Sequence, residues 1–346
     1  MTAHEAESLM AREVREIPDA VARLLDRGGP AIRVAAAAAR RLDPPFLATV
    51  ARGSSDHACT YLKYASELLL GRAVASLGPS VASVYGARLR IAGALAISVS
   101  QSGQSPDIVE MARSARAGGA LTVAVTNHPD SPLARESELV LDLHAGPELS
   151  VAATKTFVTS AVAGLSLLAE WAADRALLKA IAELPESLSR ALSLDWSDLE
   201  AAAAGATSLY TLGRGPSYAM SNEAALKFKE VALIHAESHS SAEVLHGPVS
   251  IVDAAFPVLA FAAADAAEAG VAEIAAAIAA KGARVFVTTT AGAGRAHRLA
   301  VARTGHWLTD PLALIVPFYA AVERIARARG IDPDRPRHLS KVTETI

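Results

Sequence analysis

The sequence predicts an α/β protein made of two parallel-sheet units in tandem, and three observations carry that expectation. Short apolar runs alternate with helical segments, as at 46–50, 94–99 and 121–126 and again at 209–212 and 258–261. That alternation implies βαβ units with helices on both faces of each sheet. The chain also repeats itself: ARGSSDHA at 51–58 lines up with GRGPSYAM at 213–220, and ALTVAVTN from Ala120 with ARVFVTTT from Ala283. Finally, 346 residues that are 51% hydrophobic but only 5% aromatic suit two ordinary domains filled by Ala, Val, Leu and Ile.

Residues 1–42 read as helices, with Val14, Ile17, Val21, Leu24 and Leu25 near helical spacing and Pro18 near a helix boundary. The first sheet unit, 43–195, takes strands at 46–50, near Val74, at 94–99, at 121–126 and at 139–143. Helices are expected at 58–70, up to about Ala117, and through 160–192. The second unit, 196–330, ends in a long helix over 311–330 that glycine terminates. The tail 331–346 carries Pro333 and Pro336 and is expected to be extended.

Ligands of such sheets bind beyond the carboxyl ends of the strands. Two loops there are rich in hydroxyls: Gly53-Ser54-Ser55, and Ser100-Gln101-Ser102-Gly103-Gln104-Ser105, each leading into a helix. Hydroxyls, an amide, glycine-permitted backbone approach and a helix N-terminus make a phosphate site without lysine. Serine turns and caps alone would be ordinary; two such loops in one unit point to a site.

The stretch 209–248 is where the chemistry is expected. A strand at 209–212 meets Gly213, Gly215 and Pro216, Ser217 stands where an N-cap would, and 221–233 is rich in helix formers. At about 100° per residue, Glu223, Lys227 and Glu230 fall on one helix face, with Ala225 and Ala232 opposite. A solvated stripe with an i,i+4 pair is the plain alternative. The neighbouring His235, His239 and His246 favour an acid/base set of carboxylate, amine and imidazole. His235 and His239 lack an evident third ligand, so no metal is expected.

The pattern GRG-x3-A-x3-EAALK-x-KE, then IHAE, then E-x2-HGP, resembles the sugar isomerase (SIS) family, and within it the isomerase half of glucosamine-6-phosphate synthase. The likeness extends from MAREVREIPDAVARLL to the tail run D-x-D-x-PR-x-L-x-K. It implies two flavodoxin-like sheets in tandem plus a C-terminal segment folded over the active site. It implies a sugar-phosphate site at Ser55, Ser100, Gln101, Ser102 and Ser105, with Ser54 beside them, and a sugar lined by Val151, Ala152 and Ser340. His246 is assigned by resemblance to ring opening and Glu230 to proton transfer between C1 and C2. Lys341 is assigned to the ketose carbonyl, with Lys227 and Glu223 in support. In the family the histidine at the position of His246 comes from the neighbouring subunit, which implies a homodimer. The segment at 235–239 would be a helix end.

The synthase's glutamine-hydrolysing domain has no counterpart in these residues, so the resemblance implies a glucosamine-6-phosphate deaminase that uses no glutamine and no cofactor. The alternatives are a deglycase of a phosphofructosamine-type adduct, another phosphosugar aldose-ketose isomerase, and a non-catalytic sugar-phosphate sensor. Three departures from the synthase pattern bear on the sugar: Ala153 stands where a serine is common, Leu245 where a lysine is, and Ser340 where a small apolar residue is.

Net charge is −3 with no Lys/Arg block, so nucleic acid is not an expected partner. The single cysteine, Cys59, excludes a disulfide framework and reads as a small core residue. The most apolar run, 254–264, is shorter than the roughly 18 residues of a membrane span, and the first residues lack an apolar signal core. A soluble cytoplasmic protein is expected.

Overall fold

The computed structural model describes residues 7–254 and 256–341. They form two compact units, one comprising Asp19–Glu148, Lys155–Ala182 and 340–341, the other 7–18, Leu149–Thr154 and Glu183–Leu339. The sequence expectation of two parallel-sheet subdomains with helices on both faces is met.

In the first of these units the strands β1 (Leu47–Val50), β2 (Val74–Ser76), β3 (Leu95–Val99), β4 (Leu121–Thr126) and β5 (Leu139–Asp142) make one sheet in the order β2-β1-β3-β4-β5, all parallel. β1 and β3 are buried at every residue, which is why they read as unbroken apolar runs rather than alternating ones. The helix Ser54–Leu70 packs against Lys155–Ala172, sixteen of whose residues are buried. Their close approach depends on Gly164: a Cβ there would lie 2.4 Å from a methyl of Leu62.

The second unit repeats the topology with β6 (Ser208–Gly213), β7 (His235–Ser240), β8 (Pro257–Ala260), β9 (Arg284–Val287) and β10 (His297–Arg298), in the order β10-β9-β8-β6-β7. Read from its first strand, this is the same arrangement, so the duplication seen in the sequence is a duplication of fold. Its core gathers Leu212, Val258, Val271, Ile278, Val285 and Val287. The helix Asp310–Ala328 closes the unit and stops before Gly330, whose φ is +71°. The tail beyond it is non-helical up to residue 341.

Two local expectations are corrected. His235–Ser240 is not a helix end but an edge strand, paired with β6 along six residues. It is polar because an edge strand has only one paired side and a partly solvated face. Ser217 is not the N-cap: Gly215, at φ +57°, takes that place, and Pro216 begins the helix Pro216–Ala232.

Candidate functional site

The hydroxyl loops lie where the first sheet divides. The chain leaves β1 for β2 on one side and β3 for β4 on the other, and the crevice between the ends of β1 and β3 is the ligand position of such sheets. Ser54 and Ser55 open the helix Ser54–Leu70 behind Gly53 (φ +55°), which places them in its first turn. Ser105 caps the helix Pro106–Ala117 from an extended conformation, without spending its side chain on the cap. Between them, the amide of Gly103 donates to Ser100 Oγ at 3.1 Å and that of Gln104 to Ser102 Oγ at 3.3 Å, while Gln101 O accepts from Asn127 N at 3.1 Å. The loop is thus held from within, and Ser102, Gln101 and Ser105 remain half-buried at its surface. Gly103 cannot be replaced cheaply: its φ is +61°, and a Cβ would stand 2.1 Å from Ser131 Oγ.

In the same unit Lys341 meets Glu148. The ammonium lies 2.9 Å from Glu148 Oε2, which is wholly buried and also accepts from the Thr156 hydroxyl at 2.6 Å; Glu148 Oε1 accepts from Thr156 N at 3.0 Å. Burial pushes the Glu148 carboxyl up, but Lys341 and the Thr156 donors more than offset it, and the net direction is down. Lys155, also buried, donates to Pro147 O at 2.6 Å. Ser340 is exposed.

In the other unit the helix Pro216–Ala232 is buried on nearly every side, including Ala225 and Ala232 opposite the charges. Glu223, Lys227 and Glu230 therefore form an internal cluster rather than a solvated stripe. Lys227 Nζ lies 3.2 Å from Glu223 Oε1 and 2.7 Å from Glu230 Oε2; the first two side chains are fully buried and that of Glu230 is 22% exposed. Tyr319 donates its hydroxyl to Glu223 Oε1 at 3.1 Å. Burial alone would pull the Lys227 ammonium's pKa down, but Glu223 and Glu230 raise it on balance, so it stays charged. The cluster ends in one partly exposed carboxylate, Glu230.

His246 ends the turn Glu243–His246 and is exposed. His235 and His239 lie on β7, and no group of three or more metal-ligating residues occurs among the described residues. Ala152 is buried and Val151 half-buried. The segment bearing them is held at its start by Glu13, which accepts from the amides of Leu149 and Ser150.

The family model described as SIS domain matches residues 46–169 and 204–302, one stretch on each sheet. The chain belongs to the SIS family. It is 35% identical over 314 residues to a glutamine–fructose-6-phosphate aminotransferase (isomerizing) of Symbiobacterium thermophilum, covering 85% of this chain and 51% of that one. The chain thus spans about half the length of such curated relatives. A crystal structure from Silicibacter pomeroyi DSS-3, of a protein proposed to be a phosphosugar isomerase, is 64% identical with a TM-score of 0.92 over 95% of this chain and 100% of the other. Glucosamine-6-phosphate deaminase of Thermotoga maritima shares the fold at 20% identity and a TM-score of 0.77, over 98% and 100% of the two chains.

Within this SIS chain the two copies have diverged at the loop that follows the third strand. After β8 the loop 262–267 reads AAADAA where the first copy has SQSGQS. In the second copy the strand ends are tied by Arg303, which donates to Ala262 O at 3.1 Å and pairs with Asp310 at 2.5 Å and Glu268 at 2.7 Å. An arginine committed to two carboxylates is a structural anchor. Sequence reasoning missed Glu148 and Tyr319 as partners, because they lie 193 and 96 residues from the groups they hold.

Proposed function

We propose that this SIS chain interconverts aldose and ketose forms of a 6-phosphorylated sugar, and that its substrate is glucosamine 6-phosphate, deaminated to fructose 6-phosphate. The observation that carries the reading is the buried Glu223–Lys227–Glu230 cluster: a fixed ammonium between two carboxylates, one of them 22% exposed. Such an arrangement suits a carboxylate that takes a proton at C2 and returns it at C1.

The assigned roles follow from it. Ser54, Ser55, Ser100, Gln101, Ser102 and Ser105 bind the phosphate, Val151, Ala152 and Ser340 line the sugar, and His246 serves ring opening. Lys341, oriented by Glu148, faces the sugar carbonyl. The protein acts as a homodimer in which the partner subunit's His246 completes each site; the exposure of Leu245 (43%) and Ile251 (58%) beside His246 supports a covered surface there. Isomerisation of the open-chain amino aldose gives a ketose imine, and one water then yields fructose 6-phosphate and ammonia, so atoms balance without a cofactor. No described helix is long and apolar enough to cross a membrane.

The test is incubation of the purified protein with glucosamine 6-phosphate, measuring ammonia and fructose 6-phosphate together. Both should appear in equal amounts without added metal or glutamine. Turnover of a phosphofructosamine adduct with inertness toward glucosamine 6-phosphate would replace the substrate reading by the deglycase one. Binding without turnover of either would replace it by a sensor.

A further inference from the structure

We propose that Arg52, held in place by Asp107, is a phosphate-binding residue of the first unit and supplies the formal positive charge that its hydroxyl loops lack. The proposal rests on the phosphate assignment of those loops. Arg52 lies between β1 and the helix Ser54–Leu70, one residue before Gly53; Asp107 is the second residue of the helix Pro106–Ala117, just after the loop 100–105. Their side chains meet at 3.0 Å, Nη2 to Oδ2, so the pair joins the segment that follows β1 to the segment that follows β3. Those strands are direct neighbours in the sheet, and the crevice beyond their ends is the site.

The two partners differ in exposure, and the difference assigns the roles. Asp107 is 2% exposed, whereas Arg52 is 50% exposed. A buried carboxylate with that contact fixes the guanidinium's position, while a guanidinium carries five N–H donors in a planar fork and has more to offer than one contact uses. Segments 51–55 and 100–107 contain no other lysine or arginine. A phosphomonoester brings close to two negative charges, which neutral hydroxyls and amides solvate but do not balance. Arg52 is the residue placed to balance them.

The duplicated unit offers an internal comparison. Arg214 occupies the position of Arg52, but with Val99 matched to Phe261 the position of Asp107 falls on Ala269, and the loop between has lost its hydroxyls. The carboxylate that would hold the arginine is absent in the copy without a phosphate loop.

Calorimetric titration with inorganic phosphate and with glucosamine 6-phosphate tests this, using wild type, Arg52→Gln, Arg52→Lys and, as reporter of the loop itself, Ser102→Ala. Arg52→Gln should weaken both ligands about tenfold or more, as the loss of a charge-assisted contact does. Arg52→Lys should recover part of that loss, since charge returns without the fork. In turnover, KM should rise by more than kcat falls, which a merely structural role would not produce. If Ser102→Ala weakens phosphate while Arg52→Gln binds like wild type, Arg52 is not a ligand and the proposal fails with the phosphate loops intact. If neither variant changes affinity, the phosphate assignment itself fails and takes this proposal with it.

Discussion

Lys227 and Glu223 face each other at 3.2 Å with both side chains entirely buried, one turn apart on the helix Pro216–Ala232. Removing one member of a buried ion pair strands the other, typically at about 3–5 kcal/mol. Lys227→Met should therefore lower thermal stability strongly, and adding Glu223→Gln should restore part of it while leaving turnover low. The Lys227 pKa is raised, so its stabilising charge is present at all pH values below the ordinary 10.5 and is lost only as pH rises through the higher folded value. Equal stability of the single and double variants would mean that the charges are not coupled.

Glu230 tests the chemistry separately from the fold. Glu230→Gln keeps size and shape but cannot take a proton, and its side chain is the partly exposed end of the cluster. We expect the unfolding temperature to change little and kcat to fall by about two to four orders of magnitude. Retained activity would reduce the cluster to a structural one.

Much of this was legible in the sequence, and the exceptions have physical causes. Parallel strands such as β3 are buried on both faces, so they show as apolar runs, and the loops at their ends show as glycine and serine clusters. β7 escaped because HAESHS carries no apolar run: it sits at a sheet edge, where polar side chains are tolerated. The charged face of Pro216–Ala232 was visible as a face, but whether it met water or protein was decided by packing that local periodicity does not encode. Tyr319, which reaches Glu223 from the helix Asp310–Ala328, is one such distant contributor.

Glu148 gives a pH signature. Its folded pKa lies below the ordinary 4.5, so the stability it contributes is present above that value and is lost as pH falls through the folded pKa. Glu148→Gln should cost on the order of 3 kcal/mol at neutral pH, because Lys341 and Thr156 lose a charged acceptor. The difference from wild type should shrink as pH is taken below the carboxylate range. A difference independent of pH would show that the carboxylate's charge is not what holds Lys341.

Two glycines of the proposed phosphate loops separate strain from collision. Gly53 and Gly103 both have positive φ, at +55° and +61°, but nothing lies within 4 Å of a Cβ at Gly53, whereas Ser131 blocks one at Gly103. Gly53→Ala should cost about 1–3 kcal/mol from backbone strain alone, since its ψ of −133° lies outside the left-handed helical region. Gly103→Ala should cost more and should also weaken phosphate binding, because Ser131 or the loop must move. Equal unfolding temperatures for the two would show that the loop absorbs the methyl without displacement.

The homodimer reading makes a prediction that single-chain models do not. If the partner subunit's His246 serves the site that contains Glu230, then His246→Ala and Glu230→Gln variants are each inactive for different reasons in different places. Mixed and allowed to exchange subunits, they form a heterodimer in which one site carries both defects and the other neither. At equal input about half the dimers are mixed, and each has one intact site, so about a quarter of wild-type activity should return. Exchange is verified independently by differently tagged chains, and a Ser102→Ala chain mixed with Glu230→Gln reports whether the phosphate loop belongs to the same subunit as the base. Verified exchange with no recovered activity in the His246 mixture would place His246 and Glu230 in one subunit.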